Sequence, residues 1–295
     1  MSVSVLGVVG AGFMGSGIAE SAARAGKQVI VYESEQAPLD RSRERIAASV
    51  SKAVARGKAS QEDATALTDR VIHTTRLEDL CGADAVIEAV FEDRRVKGDL
   101  FALMDETFPD ALFLASNTSS IAIAELAART ERPERVVGMH FFSPVPVMKL
   151  VELVAAIDTA PETVAAAEVF VQEIGKHAIH TKDRSGFIVN VMLFPYLMSA
   201  VRLYEDGFAS REDIDEGMTL GCGHPMGPLT LCDFIGLDVM DAICESLYME
   251  FKQPEYAPPP LLKRMVTSGH LGRKTGRGFY DYTASATTAT PEARS

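Results

Sequence analysis

The first two thirds of the chain alternate short apolar runs with amphipathic segments. Residues 5–9 form a continuous apolar run, which is typical of a strand buried on both faces of a parallel sheet. A segment rich in Ala and Ile follows over residues 14–25 and ends at Gly26, which predicts a helix. Residues 28–32 form a second apolar run, so the chain is predicted to begin with a complete βαβ unit.

Residues 37–70 interrupt this alternation with two polar, amphipathic stretches, which predict an inserted helical hairpin with a turn at 56–58. The alternation then resumes, with helices centred near Leu100, Ala124 and Val169. The later predicted strands are 85–90, 112–115, 135–139, 150–154 and 177–181. Strands that alternate with helices predict an α/β fold with a Rossmann-type, doubly wound and mainly parallel sheet.

The pattern changes after residue 184, where helical spacing continues without a strong strand. The helices predicted there cover 187–204, 211–220, 229–251 and 261–268. We therefore expect an α/β domain over 1–184 and an all-helical domain over 185–283. Residues 284–295 have too little apolar content to fold and are predicted to form a disordered tail.

Composition narrows the class of protein. The net charge of −12 argues against non-specific binding to nucleic acid, which needs a basic surface. No apolar run reaches the roughly 18 residues that a membrane span needs. The four cysteines show no metal-ligand spacing, so we expect reduced thiols and no metal site. The chain starts in a strand with no signal-like segment, which predicts a cytoplasmic protein.

A glycine motif follows the first predicted strand. Its spacing, Gly-x-Gly-x-x-Gly, matches the dinucleotide fingerprint, and the required strand and helix flank it. The glycines permit a tight turn, close approach of the backbone to pyrophosphate, and contact between helix and strand. The predicted cofactor-binding loop consists of Gly10, Gly12, Phe13, Met14 and Gly15.

Glu33 ends the second strand at the position of the acid that binds both ribose hydroxyls. A carboxylate there would repel a 2′-phosphate, and no arginine follows it immediately. NAD is therefore predicted as the cofactor rather than NADP.

His140 and Glu152 are the candidates for proton transfer. His140 follows the strand 135–139 and so lies at a carboxyl end, where ligands bind in open α/β sheets. Oxidation of an alcohol with NAD needs a base for the hydroxyl proton, and histidine can serve at neutral pH. Glu152, in the next strand, could hold one ring nitrogen and stabilise the imidazolium.

Several ordered motifs give the chain a family resemblance over about residues 4–282. They are 115–120 (ASNTSS), 140–152 (HFFSPVPVMKLVE), 186–190 (GFIVN), 225–228 (PMGP) and 271–280 (LGRKTGRGFY). With these motifs the chain resembles the 3-hydroxyacyl-CoA dehydrogenases, and most closely the short bacterial 3-hydroxybutyryl-CoA dehydrogenases. The resemblance implies NAD-dependent oxidation of (S)-3-hydroxyacyl-CoA and the reverse reduction of acetoacetyl-CoA.

The resemblance also implies roles for individual residues. His140 would be the base, paired with Glu152, while Ser119 and Asn190 would bind the substrate oxygen. Further cofactor contacts would come from Glu92, Lys97, Ser119, Ser143 and Lys274. Many relatives carry Asn at position 143, where this chain has the shorter serine.

Relatives use the inserted hairpin to hold coenzyme A, which implies contacts from Ser49, Lys52 and Arg56. Lys52 and Arg56 are four residues apart and therefore share a helix face that could meet a phosphate. The relatives also dimerise through the helical domain, so a homodimer is expected. Two alternatives stay open: a dehydrogenase of a free 3-hydroxy acid, such as a sugar acid or carnitine, and a non-catalytic NAD-binding protein.

Overall fold

The protein, seen in a computed structural model, is described over residues 2–283 and divides between Phe187 and Ile188 into two compact units. The predicted tail, 284–295, lies outside the described residues. The sequence predicts a domain boundary nearby, after residue 184.

The first unit is built on one eight-stranded sheet in the order β3-β2-β1-β4-β5-β6-β7-β8. Its strands are β1 (Val5–Val9), β2 (Gln28–Tyr32), β3 (Val71–Thr74), β4 (Ala85–Glu88), β5 (Leu114–Ser116), β6 (Val136–Phe141), β7 (Leu150–Ala155) and β8 (His177–Lys182). Every neighbouring pair is parallel except β6 and β7, which are antiparallel. The prediction of a doubly wound, mainly parallel sheet is confirmed.

Helices cover both faces of this sheet. They are α1 (Phe13–Arg24), α2 (Gln36–Ala55), α3 (Gln61–Asp69), α4 (Arg94–Thr107), α5 (Ile123–Ala127) and α6 (Pro161–Glu173). One core cluster joins the sheet to α1, α2 and α6, through side chains such as Ile18, Ile46 and Phe170. A second cluster joins it to α4 and α5, through side chains such as Phe101 and Leu126. Burial of apolar area on both faces is what holds the sheet as a middle layer.

The inserted hairpin consists of α2 and α3. Ser60 caps α3 by accepting the backbone N–H of Asp63, and the Asp63 carboxylate accepts the N–H of Ser60 in return. These hydrogen bonds from Ser60 outweigh desolvation and lower the pKa of Asp63. The apolar face of α2 packs on the core through Leu39, Ile46 and Val50, so the hairpin is anchored and its opposite face is left to solvent.

The edge strand β3 was not predicted. It has four residues of mixed polarity, and its burial does not alternate cleanly. It forms because its backbone pairs with β2 in parallel register, with Ile30 opposite Ile72. Such pairing at an edge leaves little trace in the hydrophobic pattern.

The second unit is helical. Its helices are α7 (Val189–Glu205), α8 (Arg211–Cys222), α9 (Pro228–Ile235), α10 (Leu237–Phe251) and α11 (Pro260–Thr267). The sequence predicted a single helix over 229–251, which was wrong: Gly236 has φ of +103° and separates α9 from α10. No helix in the described part of the chain is both long and apolar enough to cross a bilayer.

Asp215 ties this second unit together. Its buried carboxylate accepts the N–H groups of Leu229 and Thr230 at 2.7 and 2.9 Å, and so caps the first turn of α9 from α8. It also accepts the hydroxyls of Thr230 and Tyr280 at 2.6 and 3.0 Å. The N-terminus of α9 is thereby satisfied by a side chain from another helix.

We expect Asp215→Ala to lower the free energy of unfolding by about 3 kcal/mol, because several buried donors would lose a charged acceptor. Urea denaturation followed by circular dichroism measures the loss. Asp206→Ala, at an exposed position, is the matched control and should change the value by less than about 0.5 kcal/mol. Equal stability of the two variants would show that the capping bonds are not important.

Candidate active site

The glycine motif forms a turn between β1 and α1 that a dinucleotide fits. Gly10 has φ of +107°, and a Cβ there would lie 2.6 Å from the carbonyl oxygen of Ala89. A Cβ on Gly15 would lie 1.9 Å from the carbonyl oxygen of Gly10, so this glycine lets α1 contact the strand. A Cβ on Gly12 would meet nothing within 4 Å. The turn therefore needs Gly10 and Gly15 for its own packing, and leaves open space at Gly12 where a phosphate could approach.

The other two residues of the predicted cofactor loop differ in burial. Phe13 is exposed at the start of α1, whereas Met14 packs against the core cluster that joins the sheet to α1, α2 and α6. Glu33 lies just after β2, where its carboxylate accepts the N–H groups of Ala11 at 3.2 Å and Ser34 at 3.1 Å. The carboxylate is thus fixed beside the glycine turn.

His140 and Glu152 meet because β6 and β7 run antiparallel. The two residues are directly opposite each other in the register, and side chains of such a pair lie on the same face of the sheet. The distance from His140 Nδ1 to Glu152 Oε2 is 2.7 Å, and both side chains are buried. A carboxylate only accepts hydrogen bonds, so Nδ1 carries the proton and Nε2 presents a lone pair.

Ser119 lies on the other side of the His140 ring. Its hydroxyl is 3.0 Å from Nε2 and donates to the lone pair there. The rings of Phe142 and Phe187 pack on the imidazole, with centroids 4.7 and 5.4 Å away. Ser119, His140 and Glu152 thus form a hydrogen-bonded series, the Ser119–His140–Glu152 line. Within it His140 can accept a proton at Nε2 in apolar surroundings.

The loop that carries Ser119 is held by Glu92. One oxygen of its carboxylate accepts the N–H groups of Ser119 at 3.0 Å and Ser120 at 3.2 Å. The same oxygen accepts the hydroxyls of Thr118 and Ser120. Glu92 was predicted as a cofactor contact; in the structure its first partners are the backbone and hydroxyls of this loop.

Lys97 is also enclosed. Its ammonium donates to Glu88 and to the carbonyl oxygen of Val90, and it lies 3.4 Å from the second oxygen of Glu92. Sequence reasoning missed Glu88, although a carboxylate ending an apolar strand was a usable signal. It also missed the hydroxyls of Ser116, Thr118 and Ser120, whose partners follow only from the folded loop.

The predicted coenzyme A residues lie on and just after α2. Ser49 is half-buried and donates its hydroxyl to the buried carboxylate of Glu20 at 3.0 Å. Lys52 and Arg56 are exposed. Ser49 therefore faces a ligand mainly as an acceptor, whereas the two cations are free to meet a phosphate. Ser143, also predicted as a contact, is exposed beyond the end of β6.

Two predicted site residues belong to the second unit. Asn190 lies in the first turn of α7 and is buried. Lys274 lies in the turn Arg273–Thr275, where its ammonium pairs with both carboxylate oxygens of Asp238. The structure brings Ser119, His140 and Glu152 together within the first unit, while the roles of Asn190 and Lys274 stay predictions. Within residues 2–283, no three His, Cys, Asp or Glu side chains cluster as metal ligands.

Two family models match the chain almost end to end. The model described as 3-hydroxyacyl-CoA dehydrogenase, NAD binding domain, matches residues 5–184, and the 3-hydroxyacyl-CoA dehydrogenase C-terminal domain matches residues 186–282.

Individual relatives agree with these models. The chain is 50% identical over 284 residues to a 3-hydroxybutyryl-CoA dehydrogenase of Mycobacterium tuberculosis, covering 95% of this chain and 99% of the relative. It is 44% identical to the 3-hydroxybutyryl-CoA dehydrogenase of Clostridioides difficile, covering 94% and 99%. The crystal structure of (S)-3-hydroxybutyryl-CoA dehydrogenase PaaH1 from Ralstonia eutropha superimposes with a TM-score of 0.91 at 43% identity, covering 96% of this chain and all of that one.

The glycine turn predicts opposite results for two alanine variants. Gly12→Ala should leave the melting temperature unchanged but weaken NADH binding by about tenfold or more, because its methyl group would fill the space left for phosphate. Gly15→Ala should lower the melting temperature by about 5 °C or more, because α1 must move off the strand. Thermal unfolding and NADH fluorescence titration measure both effects. Unweakened NADH binding by Gly12→Ala would contradict this placement of the cofactor.

Proposed function

The chain belongs to the 3-hydroxyacyl-CoA dehydrogenase family, and from this membership we propose that it oxidises (S)-3-hydroxybutyryl-CoA with NAD and reduces acetoacetyl-CoA in reverse. The observation that carries the proposal is the Ser119–His140–Glu152 line at the carboxyl end of β6. The proposed substrate is that of the similar 3-hydroxybutyryl-CoA dehydrogenases.

The chemistry of the step follows from these three side chains. NAD, when bound, would supply the hydride acceptor for the hydrogen on C3. His140 Nε2 is the atom that accepts the hydroxyl proton, since Nδ1 already holds its own proton against Glu152. The Glu152 carboxylate stabilises the imidazolium that results. The Ser119 hydroxyl, released from Nε2 when substrate enters, donates a second hydrogen bond to the reacting oxygen.

NAD is proposed over NADP because of Glu33. The Ala11 and Ser34 N–H groups hold its carboxylate at the end of β2. A ribose with both hydroxyls can donate to a carboxylate fixed in this way, whereas a 2′-phosphate would place a second negative charge against it.

The hairpin supports coenzyme A as the carrier of the acyl group. Lys52 and Arg56 point from exposed positions near the end of α2, where two cations suit the phosphates of a nucleotide. Ser49 offers an acceptor and so suits an N–H donor of the ligand better than a phosphate. A free hydroxy acid would have no use for these residues.

A homodimer through the second unit is part of the proposal. Several large apolar side chains are exposed on this unit, and apolar surface of this kind commonly marks an interface. They are Met192, Phe208, Leu220, Phe234 and Met249. The free thiols Cys81, Cys222, Cys232 and Cys244 support a cytoplasmic location. The net charge of −12 supports a small-molecule substrate rather than nucleic acid.

The direct test is oxidation of NADH at 340 nm with acetoacetyl-CoA. The wild-type protein should turn over, and His140→Ala should lower kcat by about 10³-fold because the base is lost. His180→Ala is the matched control, since this half-exposed histidine pairs only with Glu168 on the surface, and its kcat should equal that of the wild type.

Turnover of free acetoacetate as fast as the thioester would favour the hydroxy-acid dehydrogenase. NADH binding without turnover of either compound would favour the non-catalytic protein. Faster turnover with NADPH than with NADH would contradict the role given to Glu33.

The hairpin assignment predicts a separate effect on substrate binding. The Lys52→Ala/Arg56→Ala double variant should raise KM for acetoacetyl-CoA about tenfold and leave kcat unchanged, because contacts far from the reacting carbon bind ground and transition states equally. KM for acetoacetyl-pantetheine, which lacks the nucleotide, should not change. Arg76→Ala, an exposed arginine outside the hairpin, is the control. An unchanged KM for acetoacetyl-CoA would remove the hairpin from the proposed binding site.

A further inference from the structure

Three charged side chains lie together beneath the loop that carries Ser119. Glu88 ends β4, Lys97 lies in the first turns of α4, and Glu92 lies between them in the chain. Glu88 is 0% exposed and Lys97 is 1% exposed, while the Glu92 side chain is 40% exposed. Among residues 2–283, no other lysine or arginine is buried. A buried ammonium carries a large desolvation cost, so its partners need to explain its presence.

The partners of Lys97 account for its ammonium protons. The ammonium donates to one oxygen of Glu88 and to the carbonyl oxygen of Val90, and it faces the second oxygen of Glu92 at 3.4 Å. Glu88 is held in turn by the N–H of Val90 and the hydroxyl of Ser116, at 2.6 and 2.7 Å. Lys97 is thus fixed on a fully satisfied carboxylate, with little exposed surface left for a direct contact with a ligand.

Glu92 carries this arrangement to the reacting group. Lys97 neutralises one of its oxygens, and the other accepts four hydrogen bonds from residues 118–120. One of these comes from the N–H of Ser119, whose hydroxyl lies 3.0 Å from His140 Nε2. Lys97 is therefore linked to His140 by three contacts in series. They are the ion pair with Glu92, the hydrogen bond from the Ser119 N–H to Glu92, and the hydrogen bond from the Ser119 hydroxyl to His140.

We propose that Lys97 is a positioning residue, which keeps Glu92 ionised and in place so that Glu92 fixes Ser119 against His140. This role differs from the direct cofactor contact that the family resemblance implies for Lys97. It rests on the proposed dehydrogenase activity, which supplies its readout. The geometry predicts that loss of Lys97 lowers kcat.

The protonation of Glu92 agrees with this role. Burial raises the pKa of its carboxyl, but the charge of Lys97 and the hydrogen bonds from Thr118, Ser119 and Ser120 outweigh burial and lower it. The charged and titratable groups around Glu92 are Lys97 from α4, Glu88 from β4 and, across Ser119, His140 from β6. Without the charge of Lys97, only the hydrogen bonds would oppose the effect of burial, so the pKa of Glu92 would be higher than in the wild type.

The test uses Lys97→Met together with Glu88→Gln, so that no unpaired carboxylate from Glu88 stays buried. This double variant should keep the melting temperature of the wild type, while kcat at saturating NADH and acetoacetyl-CoA falls about 10²-fold because Ser119 is misplaced. Arg95→Met, an exposed position on the same helix, is the control and should retain full activity.

The pH profile separates positioning from mere stability. In the double variant the raised pKa means that the Glu92 carboxylate is protonated at a higher pH and no longer holds residues 118–120. The acid limb of the kcat profile should therefore move to higher pH than in the wild type. Both proteins contain the same His140–Glu152 pair, so the difference between the two profiles reports Glu92. Adding Glu92→Gln to the double variant should abolish that difference.

Glu92→Gln alone provides a second test that does not disturb the buried pair. It keeps an acceptor oxygen at a partly exposed position, and kcat at saturating NADH should fall about tenfold. A kcat within twofold of the wild type, in this variant or in the folded double variant, would overturn the proposal. So would a raised Kd for NADH with unchanged kcat, which would make Lys97 a direct cofactor ligand. Absence of turnover in the wild type would instead refute the proposed function.

Discussion

The antiparallel pairing of β6 and β7 is the constraint on which the site depends. In a sheet that is otherwise parallel, this one reversal sets His140 directly opposite Glu152. The hydrogen bond between them is therefore a property of the strand register and needs no adjustable loop. A shift of the register by one residue would turn Glu152 to the other face of the sheet and leave the imidazole without its partner. Residues 142–149 connect the two antiparallel strands. The core clusters on the two faces of the sheet hold the register of these strands in place.

The polar groups of the site are placed from two sides by carboxylates. Glu152 orients the imidazole through Nδ1, while Glu92 holds the loop that presents the Ser119 hydroxyl to Nε2. Each carboxylate has a compensating partner, a ring N–H for the first and Lys97 with backbone N–H groups for the second. Because a buried charge is tolerated only when it is paired and hydrogen-bonded, the two sets of contacts resist displacement of the reacting atoms. The rings of Phe142 and Phe187 pack on the same imidazole.

Much of this could be predicted from the sequence because the signals are local. The βαβ unit follows from an apolar run, a glycine spacing and a second run, all within the first 33 residues. Parts that depend on distant pairing could not be predicted: β3 pairs at an edge, and the direction of β7 is decided by its neighbours. The break at Gly236 went unnoticed because helical spacing continues across it. His140 and Glu152 were named from chemistry and resemblance, but their contact follows only from the register. Glu88 and Lys97 show the same limit, since their ion pair needs α4 to be placed against β4.

The proposed mechanism requires that His140 carries its proton on Nδ1 and turns the Nε2 lone pair towards the reacting oxygen. ¹⁵N NMR of histidine-labelled protein at alkaline pH distinguishes the two ring nitrogens, with the His140→Asn spectrum identifying the signals. We expect a protonated Nδ1, strongly hydrogen-bonded to Glu152, and an unprotonated Nε2. A proton on Nε2 with a bare Nδ1 would contradict it, because Glu152 could not then orient the ring and no base would face the substrate.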